Sequence, residues 1–119
     1  MFEFNLQTKP IPPIFEQEMV WDFLIIGGGP AGLNAGLYAQ RKGLKVGILT
    51  KEIGGQLHNT STVDNYLGIP MLEGKVMSDV FLHHVEQLGV PIHPDARVIH
   101  LEKQGPLFFL SLEKIGRAH

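Results

Sequence analysis

The feature that most restricts the fold is a bare main-chain turn, Gly27-Gly28-Gly29-Pro30-Ala31-Gly32, set between two contrasting segments. Before it runs Trp21-Asp22-Phe23-Leu24-Ile25-Ile26, short, nearly all apolar and rich in aromatic and β-branched residues. Such a run predicts a buried strand of a parallel sheet. After it, Pro30 to Lys42 reads as a helix: Leu33, Ala35, Leu37, Tyr38 and Ala39 are helix formers or apolar, and Gly43 supplies a stop. Arg41 and Lys42 suit the negative end of the helix dipole. Lys45-Val46-Gly47-Ile48-Leu49-Thr50 predicts a second strand. Strand, glycine turn, helix and strand within about 30 residues make a βαβ unit.

The turn fits Gly-x-Gly-x-x-Gly through Gly27, Gly29 and Gly32. In that pattern the first glycine permits the tight turn, the second lets a diphosphate approach the backbone, and the third lets helix and strand pack closely. Free N–H groups at the helix start, helped by the helix dipole, would meet the phosphates. The motif alone is weak, but the strand before it and the helix after it are its confirming context. An acid normally stands about 20 residues on, for the ribose hydroxyls. Here Thr50 ends the strand and Lys51 and Glu52 follow. Thr50 could hydrogen-bond a ribose, with Glu52 two residues away. Lys51 could meet a 2′-phosphate or simply be a solvated loop lysine.

Composition narrows the alternatives. With 119 residues, 44% apolar and 18% charged, the chain is one small globular domain or part of a larger one. A net charge of −2 gives no general attraction to nucleic acid or to an anionic membrane. No apolar run approaches the roughly 18 residues of a membrane span, and Met1–Met19 does not read as a signal peptide, since prolines and acids stand where an apolar core would lie. The absence of cysteine excludes disulfides, thiolate metal sites and dithiol chemistry by this chain alone.

Residues 1–20 read as an extended arm, because Pro10, Pro12 and Pro13 oppose a regular helix, while Phe2, Phe4, Leu6, Ile11, Ile14 and Phe15 favour contact with a surface. Lys51–Pro70 reads as a long loop. Gly74–Gly89 predicts a second helix, with Val76, Met77, Val80, Phe81, His84, Val85 and Leu88 on its inner face and His84 partly buried. Val90–Ile92, Ala96–Glu102 and Leu107–Leu112 predict short strands, the last two joined by a turn at Gly105-Pro106.

From Trp21 to Leu112 the chain resembles the low-molecular-weight thioredoxin reductases, a class of pyridine nucleotide-disulfide oxidoreductases, and the related flavoprotein component of alkyl hydroperoxide reductase. The resemblance rests on Asp22–Gly32, on Gly36, Tyr38, Ala39, Gly43 and Val46, and above all on Gly54-Gly55-Gln56-Leu57 and Val63-Asp64-Asn65-Tyr66-Leu67-Gly68. It implies an α/β, Rossmann-like FAD/NAD(P)-binding domain: a parallel sheet with additional short β-strands, incomplete here. It further implies FAD as the cofactor of the first βαβ unit. Gly27, Gly28, Gly29, Pro30, Ala31 and Gly32 would hold the pyrophosphate. Thr50 would lie near the adenosine ribose, Gly55, Gln56 and Leu57 would line the flavin side, Asn65 would approach the isoalloxazine, and Val98 would touch adenine through its backbone. A small-residue loop with one amide side chain suits a planar ring with a polar edge, although Gln56 and Asn65 also suit plain turn chemistry.

Members of that family continue into a second dinucleotide domain for NADPH or NADH, which carries the Cys-x-x-Cys pair. By this resemblance residues 21–114 are expected to be a partial FAD-binding domain. Ile115-Gly116-Arg117-Ala118-His119 resembles a translated sequencing adapter, so residues 115–119 are expected to be a non-native tail, a natural loop being the alternative. The implied whole is a cytoplasmic homodimer passing electrons from NAD(P)H through FAD to thioredoxin or another disulfide protein, with the isolated segment inactive and binding neither nucleic acid nor membrane. A type-2 ferredoxin–NADP reductase and a non-catalytic nucleotide-binding module are the alternatives. No catalytic residue and no metal site is expected: His83 and His84 are adjacent, and His58, His93, His100 and His119 lack ligand spacing.

Overall fold

A computed structural model describes residues 11–113. The leading ten residues of the expected arm, Lys114 and the expected 115–119 tail lie outside the described residues. Three strands form a parallel sheet in the order β1-β2-β3: β1 is Phe23–Gly28, β2 is Val46–Ile53 and β3 is Ile92–His93. Helix α1, Pro30–Arg41, joins β1 to β2 and closes the expected βαβ unit. The single-turn helix α2, Gly55–His58, follows β2, and α3, Gly74–Gln87, leads to β3. A separate antiparallel ribbon pairs β4, Val98–Gln104, with β5, Leu107–Leu112.

Alternation along the strands sets up the core. Ile25, Val46 and Ile48 join Leu33 and Ala39 of α1, Leu82 and Val85 of α3, and Ile53, Val90 and Ile92 in one buried cluster. The α1 backbone comes down onto the sheet at Gly36, where a Cβ would stand 2.8 Å from Ile48 Cδ1. Gly47 belongs to the opposite strand face, and there Phe15 and Trp21 cover it, their rings stacked at 5.4 Å. Phe15 sits on a 3-10 turn, Pro13–Glu16, so this part of the arm does lie on the surface of the sheet. Asp22 clamps the strand entrances together: its N–H donates to the Lys45 carbonyl at 2.9 Å and its carboxylate accepts the Lys45 N–H at 2.8 Å.

Four expectations are corrected. Residues Lys51–Pro70 are not one long loop: β2 runs on to Ile53, α2 follows, and Val63 pairs with Leu72 through two backbone hydrogen bonds of 2.7 and 3.0 Å. The apolar run of β1 is not buried on both sides, because β1 is an edge strand and Phe23 and Ile26 are exposed. The third strand begins at Ile92 rather than Val90. On α3 the inner face is Gly74, Met77, Ser78, Leu82 and Val85, while Val76, Val80 and His84 face solvent. Small residues there allow close helix contact, and hydropathy does not register them.

This orientation of α3 has a direct test. Leu82 is 1% exposed and Val80 50%. Leu82→Ala should cost about 2–5 kcal/mol of stability, whereas Val80→Ala should stay within about 0.5 kcal/mol. Urea unfolding of the two variants measures the contrast, and equal losses would restore the hydropathy-based face.

Candidate functional site

The site grows out of a break in strand pairing. Ile26 lies opposite Leu49, but Gly28 lies opposite Ile53, so Gly27 alone stands against Thr50, Lys51 and Glu52. The two strands therefore part where the chain turns into α1. Gly32 holds the turn against that helix: a Cβ there would run into the Gly27 carbonyl oxygen. This is the close approach that the third glycine of the pattern provides.

The N-terminus of α1 is left open for a ligand. Gly29 is the N-cap and makes no side-chain cap bond, no acid stands in the first turn, and Pro30 at the first position has no N–H to satisfy. The Ala31 and Gly32 amides point along the positive end of the helix dipole. Beside them, a Cβ on Gly29 would be uncrowded, touching only the Gly54 carbonyl oxygen at 3.8 Å. This cradle fits a diphosphate, because the donors are uncapped and the approach lacks a side chain.

A second glycine turn abuts the first. The Gly54 N–H donates to the Gly28 carbonyl at 2.9 Å, and a Cβ on Gly55 would stand 3.5 Å from Gly29 Cα. Gly54 has φ +91°, in the left-handed region, and a Cβ there would also strike Ser78 Oγ. Both backbone conformation and close packing thus demand glycine at Gly54. Its pairing with Gly28 is a part of the site that motif spacing does not contain, although the adjacent glycines at 54 and 55 are its visible signal.

The remaining candidate residues are distributed around this double turn. Thr50 is 3% exposed and packs against Gly28, where a Cβ would lie 2.9 Å from its side chain. Its hydroxyl donates to the Glu52 carbonyl at 2.7 Å, and Lys51 and Glu52 are exposed. Gln56 is exposed on α2 and Leu57 half-buried. Asn65 is exposed on the segment closed by Val63 and Leu72, which Tyr66 anchors to α3 by a tilted contact with Phe81 at 5.3 Å. Val98, half-buried, opens β4 just after Ala96, whose N–H donates to the Thr50 carbonyl at 2.8 Å. Among the described residues no hydrogen bond joins Asn65 or Val98 to the glycine turns. The described residues also hold no cluster of three or more metal-ligating side chains and no helix long and apolar enough to cross a membrane.

Comparison with known proteins agrees with this geometry. Residues 22–62 match the family model described as FAD binding domain. Over 99 residues, 83% of the chain, it is 33% identical to an NADH dehydrogenase of Bacillus subtilis and, equally, to a component of the alkyl hydroperoxide reductase of Staphylococcus aureus. It spans 19% and 20% of those two proteins, about a fifth of the length of the curated relatives it matches. Thioredoxin reductase from Lactococcus lactis superposes with a TM-score of 0.76 at 32% identity, over 81% of this chain and 32% of that one. In sequence and fold the chain thus resembles the FAD-binding segment of thioredoxin reductase-like pyridine nucleotide-disulfide oxidoreductases.

Proposed function

We propose that residues 21–114 form part of a domain that holds and orients FAD for a flavin-dependent oxidoreductase. The single observation that carries this reading is the uncapped start of α1 beside the side-chain-free, uncrowded Gly29. Ala31 and Gly32 would donate their N–H groups to the pyrophosphate, and Gly27, Gly28 and Gly29 would let it approach the main chain. Gly55, Gln56 and Leu57 would border the flavin and Asn65 would approach its ring. Thr50 and Val98 would flank the adenosine end, Thr50 as a wall through its packed side chain and Val98 through its backbone. FAD, when bound, supplies the hydride and electron chemistry. The residues of this chain bind the cofactor and orient it through its phosphates.

In a polypeptide of the relatives' length, the proposed flow is from NADPH or NADH through FAD to a disulfide of a thioredoxin-like protein, in a cytoplasmic homodimer. This chain has no cysteine, so the thiols of such a reaction come from elsewhere. The NADH dehydrogenase relative favours a second reading, in which the same cofactor segment serves an acceptor other than a disulfide. A dithiol pair in the partnering domain would separate the two.

Flavin fluorescence during titration of the chain with FAD tests the site. We expect weak binding by the chain alone. Gly29→Val should reduce it at least about tenfold, the worth of one well-made phosphate contact, while changing the melting temperature far less than Gly54→Ala does, since a Cβ there makes only an ordinary 3.8 Å contact with the Gly54 carbonyl oxygen. Equal FAD binding by Gly29→Val and the unaltered chain would refute the site. Gly54→Ala should behave differently, lowering stability by about 1–2 kcal/mol or more through the left-handed backbone and weakening FAD binding as well. Thermal melts beside the titration would separate the two kinds of effect.

A further inference from the structure

Two side-chain atoms in the described fold are buried without a hydrogen-bond partner: Ser78 Oγ and His58 Nδ1. They are neighbours. A Cβ at Gly54 would strike Ser78 Oγ and stand 3.0 Å from His58 Cβ, so the two side chains close on the same side of the second glycine turn. Ser78 is 1% exposed and lies one helical turn after Gly74, where a Cβ would strike the Leu57 and Thr60 carbonyl oxygens. The Gly74 and Ser78 face of α3 is therefore the surface on which α2 rests.

Serine is a poor choice for that position if only space matters. Alanine fits the same volume, favours the helix and leaves no buried hydroxyl to desolvate. A hydroxyl is useful there only if it finds an acceptor, and an imidazole Nδ1 without a partner is the acceptor nearby. Helix α2 is a single turn without a side-chain cap, so it can make the small adjustment that brings the two atoms together.

We propose that Ser78 is a positioning residue for the cofactor turn: its O–H donates to His58 Nδ1, which carries its own proton on Nε2, and the bond ties α2 to α3. Gly54 and Gly55 lie at the start of the segment so tied, and Gly54 in turn binds Gly28 of the first turn. Ser78 would thus set the distance between the two glycine turns without touching the cofactor. This role rests on the reading of the turns as an FAD site.

The test uses the 119-residue chain with ring-15N-labelled histidine, held above the ordinary imidazole range, with and without FAD. His58→Asn identifies the His58 signals. In the unaltered chain His58 Nδ1 should resonate as an unprotonated, hydrogen-bonded nitrogen. Ser78→Ala should turn that signal into one of mixed tautomers and raise the FAD dissociation constant roughly tenfold, as expected for one lost bond to a positioned group. Ser78→Thr, which keeps the hydroxyl, should retain the signal. Identical His58 signals in the unaltered chain and Ser78→Ala would overturn the proposal, and so would an unchanged FAD affinity in Ser78→Ala when the unaltered chain binds. If the unaltered chain takes up no FAD, the cofactor reading fails separately. The His58 signals of the free chain then decide: a Ser78-dependent signal supports the pair, and an indifferent one overturns it.

Discussion

Contact of main chain with main chain is the constraint on which this structure depends. The Gly54 N–H reaches the Gly28 carbonyl and Gly55 lies against Gly29, while side chains would crowd Thr50 at Gly28 and strike Ser78 Oγ at Gly54. Through this contact the end of β2 closes over the end of β1 while the start of α1 stays uncovered. A ligand site formed of backbone needs such closeness, since N–H groups recessed behind side chains cannot reach a phosphate.

The helices serve that contact from behind. α1 approaches the sheet at Gly36 and Gly32, and α3 approaches α2 at Gly74 and Ser78. At Gly32 and Gly74 the missing side chain lets backbone meet backbone, at Gly36 it makes room for the Ile48 side chain, and larger residues on either side fill the core. Ile48, Met77 and Leu82, each at most 1% exposed, anchor the layers between which the turns are held. The apolar β1 edge and the exposed apolar residues of the β4–β5 ribbon, among them Ile99, Leu101, Phe108 and Phe109, contribute little to this core.

The parts of the fold legible in the sequence are those with a local cause. The β1–turn–α1–β2 unit follows from an apolar run, three spaced glycines and a helical pattern ended by Gly43, and all of it forms. Leu107–Leu112 forms over its expected range because the Gly105-Pro106 turn fixes its start. The α2 turn stays hidden in the sequence because Gly54, Gly55 and Asn59 read as loop chemistry. Its helical turn is supported by α3, which is distant in sequence. The solvent face of α3 escapes the sequence pattern because Val76 and Val80 outweigh Gly74 and Ser78 in hydropathy.

By itself, the order of residues determined that a bare turn would join a strand to a helix, because glycine spacing and strand composition act within a few residues of one another. It also determined that the chain brings no thiol of its own. Only the tertiary structure decided that a second glycine turn would close on the first, that Thr50 would become a packed wall with its hydroxyl already engaged, and that Ser78 and His58 would both pack beside Gly54. Those outcomes depend on chain segments folding back over tens of residues, and the contacts that select them exist only once the sheet and both long helices have packed.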